Sequence, residues 1–369
     1  MASIDKVGPK KYRARWRTPD GASRSRTFER RVDAERHLTQ VEGDKLRGSY
    51  VDPSAGKTTV ADYWTTWSER QSWRATTRMS TTSMFTCHVL PAFGRRPLNS
   101  LRRGDIESWA ARLPLSARTI NHATQYFSTM LDAAVGDGLI AQNPAHRTKR
   151  PRIDSTPIVP FTPDEAAALR EAAPVAFRVA LTLGLGAGLR QSEATGLTVD
   201  RIDFLRRQLM VDRQLVSPKA GDCTFGPPKS ARSYRTVPLA DIVLAQLSAH
   251  LAEHGTGRDG LLLVCEDGRP IRRQRFGVIW RQIRERAGLP RARFHDTRHT
   301  FASTLLSGGV SVPATAEYLG HTPAELLRTY AHLLPADHDR ARAVVQTAFA
   351  SDRVTLVSQR AQTAPPQVH

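Results

Sequence analysis

The chain has 369 residues, enough for two or three domains that each bury a core, and its 54 Lys and Arg exceed 35 Asp and Glu for a formal net charge of +19. Such an excess repels itself on a folded surface and attracts polyanions, so nucleic acid is the natural partner. An anionic membrane is the rival, but no apolar run is long enough to span a bilayer and the N-terminus lacks the apolar core of a signal peptide. Cys87, Cys223 and Cys265 are far apart and form no CxxC pair, which argues against a disulfide framework or a zinc knuckle and fits a reducing cytoplasm.

The first segment is short and basic. Lys11-Tyr12-Arg13-Ala14-Arg15-Trp16-Arg17 alternates with period two, so as a strand it shows Lys11, Arg13, Arg15 and Arg17 on one face and Tyr12, Ala14 and Trp16 on the other. Thr18-Pro19-Asp20-Gly21 supplies a turn, and Ser23 to Phe28 reads as the returning strand. Ala34, Leu38 and Val41 follow at helical spacing. The reading is a small sheet backed by one helix, its cationic face suited to DNA.

From about Thr58 to Ala145 the pattern is helical. Val60, Tyr63, Trp64 and Trp67 make an apolar stripe, a second helix is expected near Thr76 to Val89, and Pro91 and Gly94 are expected to break the chain. Asp105 to Leu113 and Thr119 to Val135 complete this part. His146 to Pro160 carries Arg147, Lys149, Arg150 and Arg152 among prolines and reads as an extended basic linker, which either tracks a phosphate backbone or is simply solvated. Thr162-Pro163-Asp164-Glu165 is a capping box that opens a further segment of alternating helices and short strands to about Ala350; a Gln-, Ala- and Pro-rich tail follows.

Four short motifs in this last segment carry chemistry. Arg190 and Glu193 are spaced to share one helical face as an ion pair. His295, Arg298 and His299 line one side of a helix, a guanidinium between two imidazoles. A zinc reading of His295 and His299 fails because no metal-hydrolase Glu follows His295 and Arg298 would set a fixed cation beside the metal. The trio is better built for phosphate. Leu319-Gly320 ends one helix, and a second capping box from Thr322 to Glu325 opens the next, so His321 stands at a helix N-terminus where anions are favoured. Tyr330 follows inside that helix.

Arg190 with Glu193, His295-x-x-Arg298, Leu319-Gly320-His321 and Tyr330 together resemble, in order and spacing, the tyrosine recombinase (phage integrase) family. Thr297 departs from the pattern, since many relatives carry Leu there. The resemblance implies a multidomain α+β protein. Its parts would be a small β-sheet-plus-helix arm-type DNA-binding domain over 1–56, an all-α, SAM-like core-binding domain over 57–147, a basic linker over 148–160, a mainly helical catalytic domain with a small antiparallel sheet over 161–350, and a tail over 351–369. It also implies the roles. Tyr330 is the nucleophile that forms a 3′-phosphotyrosine bond; Arg190, Arg298 and His321 bind the phosphate; His295 assists proton transfer; Glu193, Asp296 and His299 support. A lysine on a β-hairpin protonates the leaving 5′-hydroxyl, and Pro228 to Leu239 looks like that hairpin, with Lys229 at the matching position and Lys219 as competitor. Tyr318 reads as the core aromatic of the region. Lys11, Arg13, Arg15, Arg17, Arg147, Lys149 and Arg150 are the expected DNA contacts. No metal or ATP is required, because the phosphotyrosine keeps the energy of the broken linkage.

Partners implied by the family are double-stranded attachment sites and a homotetramer in the synaptic complex, with an excision factor and a DNA-bending protein as possible accessories, acting in the host cytoplasm and not at a membrane. Two other readings compete: a Xer-like resolvase or a topoisomerase of similar chemistry, and a DNA-binding protein that has lost catalysis. The basic first segment counts against a Xer-like protein, and the complete residue set counts against lost catalysis.

Overall fold

The computed structural model describes every residue except 1, 20, 48–49, 53–54, 154–157, 218–222, 332–340 and 350–369. Asp20, Lys219 and the expected tail over 351–369 therefore lie outside the described residues. The chain divides into two units, 1–155 and 156–369.

In the first unit, β1 (Ser3–Gly8), β2 (Lys11–Arg17) and β3 (Ser23–Phe28) form an antiparallel sheet in that order, backed by α1 (Arg31–Leu46). The alternation of β2 sends Ala14 and Trp16 into a core with Ala34, Leu38 and Val41. The register pairs Arg13 with Thr27, Arg15 with Ser25 and Arg17 with Ser23, so the opposite face mixes guanidiniums with hydroxyls. β1 is an addition to the expected two strands. Its sequence, SIDKVG, has no period-two pattern, and it holds its place by backbone pairing with β2.

A second core follows. α2 (Val60–Glu69) buries all four residues of its stripe, and Trp64 stacks on Phe85 at 3.7 Å between ring centroids. α3 (Ala75–Met84) does not break at Pro91. A π-type turn over Phe85–Val89 carries it into α4 (Leu90–Phe93), and there Pro91 occupies a first-turn position that needs no N–H donor. α5 (Arg103–Arg112) and α6 (Ala117–Gly136) complete the bundle. The expected linker is strapped down at its start. Arg103 donates to the His146 carbonyl at 3.1 Å, the Lys149 N–H donates to Glu107 at 3.0 Å, and Asn121 donates to the Pro151 carbonyl at 3.0 Å.

The second unit opens with α7 (Pro163–Ala172), whose Thr162–Glu165 capping box is formed. α8 (Arg178–Ala187) and α9 (Gln191–Ala194) come next, followed by β4 (Ile202–Asp203), β5 (Gln208–Val211), β6 (Gln214–Val216), β7 (Thr224–Gly226) and β8 (Arg235–Pro238). There are two small antiparallel sheets in place of the single one expected: β4-β5-β8, and the hairpin β6-β7. The hairpin thus precedes Pro228 to Leu239. Pro227 and Pro228 have no N–H to continue the ladder, and Lys229 lies just beyond it. α10 (Asp241–His254), α11 (Arg273–Arg286), α12 (Phe294–Ser307), α13 (Val312–Leu319) and α14 (Pro323–Tyr330) close the unit. Thr297 is a packing residue: it is buried, and its hydroxyl donates to the Phe294 carbonyl at 2.7 Å. A Cβ on Gly184 of α8 would fall 2.2 Å from that hydroxyl oxygen.

α13 ends at Gly320 in the left-handed region, with φ of 62°, and a Cβ there would lie 2.9 Å from the Arg232 carbonyl oxygen. Gly320→Ala should therefore destabilise the C-terminal unit by about 1–3 kcal/mol. Urea unfolding of the two proteins checks this, and equal midpoints would mean that the turn can relax at no cost.

Candidate active site

Gly188, with φ of 62°, ends α8 and turns the chain so that Arg190 becomes the N-cap of α9. Arg190 and Glu193 therefore do not share a helical face; Glu193 reaches back from the first turn. Its carboxylate accepts the Arg190 backbone N–H at 3.0 Å and the guanidinium at 2.7 Å. The other half of this arrangement is Arg235, which sequence reasoning passed over. Its fork donates to both Glu193 oxygens at 2.8 and 3.1 Å, and its Nε donates to the Tyr318 carbonyl at 2.7 Å. The signal was its inward position on β8, alternating with Thr236, where a cation requires a buried partner. Burial alone would raise the Glu193 pKa, but the bond to Arg235 and the charges of Arg235, Arg190 and Arg298 outweigh it and hold the pKa at about 2.

Arg298 on α12 is fully buried, with Nη1 donating to the Gly188 carbonyl at 2.6 Å and Nη2 to the Leu319 carbonyl. Leu319 also accepts from Arg190 at 3.4 Å. Nη2 of Arg298 lies 3.1 Å from Nε2 of His321. A guanidinium can only donate, so Nε2 accepts and a neutral His321 carries its proton on Nδ1. Burial, then Arg298 and Arg190, lower the His321 pKa to about 3, which keeps the ring neutral. Nε of Arg298 and Nδ1 of His321 are buried and have no hydrogen-bond partner among the described residues. Burial, with Arg190 and Arg235, also presses the Arg298 pKa well below the usual guanidinium value. A guanidinium does not lose its proton in proteins, so this pull marks a cation short of counter-charge.

Tyr330, the last residue of α14, is 1% exposed and belongs to the core, whereas Tyr318 is only half-buried. The burial ranking expected for these two tyrosines is thus reversed. The Tyr330 hydroxyl lies 2.6 Å from Nδ1 of His299, itself 8% exposed. Burial lifts the phenol to about 12 against a lowering by Arg298. Burial, with Arg293 and Arg298, lowers His299 to about 4, opposed by Asp296. His295 meets the His299 ring edge-on at 4.6 Å, with its outer edge exposed. Its packed inner edge, then His299, Arg298 and Arg190, lower it to about 4. Asp296 is a helix cap, accepting the Arg293 backbone N–H at 2.8 Å and the Arg293 guanidinium at 2.7 Å.

Lys229 is exposed and, among the described residues, makes no hydrogen bond or ion pair with this cluster, although its neighbourhood is tied to it. Ser192 donates to Gln214 at 3.0 Å, and Gln214 donates to the Pro227 carbonyl at 2.8 Å. Of the expected DNA contacts, Lys11, Arg17, Arg147, Lys149 and Arg150 are exposed, Arg13 is half-buried, and Arg15 pairs with Asp5 at 3.1 Å. Among the described residues, no group of three or more His, Cys, Asp or Glu is placed to hold a metal ion.

Residues 161–337 match the model of the phage integrase family, and residues 58–113 match that of the phage integrase N-terminal SAM-like domain. The chain belongs to the phage integrase family. A tyrosine recombinase XerC-like protein of Caldanaerobacter subterraneus is 28% identical over 255 residues, covering 61% of this chain and 65% of that protein, just under two thirds of its length. A putative prophage phiRv2 integrase of Mycobacterium tuberculosis is 25% identical over 337 residues, covering 87% of this chain and 88% of that one. Among solved structures, the Tn1549 transposon integrase in complex with a circular intermediate DNA superposes with a TM-score of 0.68 at 23% identity, covering 79% of this chain and 99% of that one. In this chain Arg190, Arg298 and His321 converge on the Leu319 end of α13, whereas Tyr330 faces inward to His299.

The three imidazoles give the protein an acid-sensitive centre. An unfolded chain takes up their protons near pH 6.5, while the folded state resists to about pH 4 at His295 and His299 and to about 3 at His321. Stability should be full above pH 6.5 and fall as pH drops through that window, because the unfolded state then binds more protons. Urea unfolding at a series of pH values tests the sign, with a shallower fall expected for His299→Gln. A stability that rises on acidification would contradict it.

Proposed function

We propose that the protein is a site-specific recombinase that cleaves and rejoins double-stranded DNA at attachment sites, integrating or excising a phage or other mobile element. The observation that carries this reading is the gathering of Arg190, Arg298 and His321 around the Leu319 carbonyl, with two buried nitrogens unpaired. A scissile phosphate is the anion whose oxygens match those donors, and its charge grows on the way to the pentacovalent state. Tyr330 attacks phosphorus and forms the 3′-phosphotyrosine, Lys229 gives a proton to the departing 5′-oxygen, and His295 assists proton transfer at the rim. Glu193 and Asp296 hold their arginines. The phosphotyrosine preserves the linkage energy, so neither metal nor ATP enters the reaction. Exchange between two duplexes involves four strands, which fits a tetramer of this chain in the synapse, with an excision factor and a DNA-bending protein as accessories in the host cytoplasm.

Tyr330→Phe should bind core-site DNA nearly normally yet form no covalent complex on a nicked suicide duplex. Arg298→Ala should cut the cleavage rate by at least 10²–10³-fold, the usual effect of removing one charge-stabilising donor. Denaturing gels of trapped protein read both, and a covalent adduct formed by Tyr330→Phe would displace Tyr330 as nucleophile.

Residues up to 56 are proposed as an arm-binding module, 57–147 as the core-binding domain, 148–160 as the linker, which with Arg147 just before it and its own Lys149 and Arg150 contacts phosphates, and residues beyond 160 as the catalytic domain. On the first sheet, Lys11, Arg13, Arg15 and Arg17 face DNA with the hydroxyls of Ser23, Ser25 and Thr27 beside them. Replacing Arg13 and Arg17 with Ala should erase footprints outside the core site, leave the core footprint, and lower the salt slope by roughly 0.9 per lost phosphate contact. A footprint confined to the core in the unaltered protein would remove the arm-binding role.

A further inference from the structure

The Tyr330 hydroxyl is sealed from water, because Tyr330 is 1% exposed and its partner His299 8% exposed. A phenol in that position cannot pass its proton to solvent as it attacks; an internal acceptor has to receive it. We infer that His299 is that acceptor, the general base of the cleavage step, a role the family resemblance gave to His295. Among the described residues, Nδ1 of His299 is the hydrogen-bond partner of the Tyr330 hydroxyl, at 2.6 Å. The other two imidazoles are engaged otherwise. Nε2 of His321 is turned to Arg298, and His295 meets the edge of the His299 ring with its own outer edge at the surface.

The inference rests on Tyr330 being the nucleophile. In the step, the Oη–H bond breaks and the proton goes to Nδ1 of His299, while an electron pair of Oη forms the bond to phosphorus. The P–O5′ bond breaks, its pair leaves on the 5′-oxygen, and Lys229 protonates that oxygen. In rejoining, the His299 imidazolium returns its proton to Oη as the phenol departs. His299 is neutral in the free protein, so Nδ1 has a lone pair to offer when the phenol donates to it. An arriving phosphate offsets the field of Arg298 that disfavours a charged His299, so the base strengthens as the substrate binds.

The experiment removes the need for the proton. A DNA strand ending in a 3′-(4-nitrophenyl) phosphate presents an aryl group where the tyrosine would be, and 4-nitrophenolate departs unprotonated when a 5′-hydroxyl strand attacks. The full-length protein is measured in two reactions: suicide-duplex cleavage by Tyr330, with and without His299→Gln, and nitrophenolate release in the Tyr330→Phe background, with and without His299→Gln. His299→Gln should slow the Tyr330 reaction by roughly 10²- to 10⁴-fold, the usual span for a general base. It should leave nitrophenolate release within a few fold. That second reaction also proves that the variant folds and holds the phosphate. A parallel loss in both reactions would make His299 a packing or phosphate-holding residue and overturn the inference. Unimpaired cleavage by His299→Gln would overturn it too. Covalent trapping by Tyr330→Phe alone would instead remove the nucleophile reading on which it stands.

Discussion

Glu193 lies between Arg190 and Arg235, and the charge of Arg298 reaches the same carboxylate. Three guanidiniums thus answer to one buried acid. Removing any member would leave a charge in a poorly solvated place, which commonly costs about 3–5 kcal/mol for a buried pair. The cluster therefore fixes several elements together: the turn after α8, strand β8, and the last carbonyls of α13 at Tyr318 and Leu319. Those carbonyls form the negative end of a helix, and they accept the donor hydrogens that Glu193 does not take. The folded protein holds its surplus cations with backbone dipoles, which bind them without cancelling their charge.

That arrangement accounts for the geometry of the proposed phosphate site. Full neutralisation by carboxylates would leave nothing to attract a phosphate, and isolated guanidiniums in the core would not be tolerated. One acid and a helix terminus lie between these limits. His321 follows directly because Gly320 lets the chain double back at the same helix end, setting an imidazole beside Arg298. Sheet, turn and helix are tied to the same few atoms.

Much of this was legible in the sequence where side-chain pattern and local chemistry coincide. The strands of Lys11–Arg17 and Ser23–Phe28, the α2 stripe and the capping boxes at Thr162 and Thr322 fall where periodicity and cap residues put them. The misses share a cause, namely information that resides in partners distant along the chain. Strand β1 is defined by its hydrogen bonds to β2, and its own residues carry no pattern. The helix through Pro91 survives because of a π-type turn before it. Arg235 looked like one cation among many until Glu193, 42 residues away, was seen facing it. His299 stood in the motif as a supporting group, and its contact with Tyr330 depends on how α12 and α14 pack.

Tyr330 is also counted among the residues of the hydrophobic core, beside Phe301, Leu319 and Leu326. The proposed nucleophile is thus stored as a building part. Bringing a phosphate against its hydroxyl means parting the side chains around a large aromatic ring, whose packing is worth about 3–5 kcal/mol. On the proposed reading, contacts made elsewhere along the duplex have to supply that energy before chemistry begins, so a short or mismatched site that binds weakly would leave the core closed. Fidelity in a recombinase of the proposed kind is set partly by the cohesion of its own interior: loosening the packing around Tyr330 would make the protein less stable and, by the same act, less discriminating about the DNA it is proposed to cut.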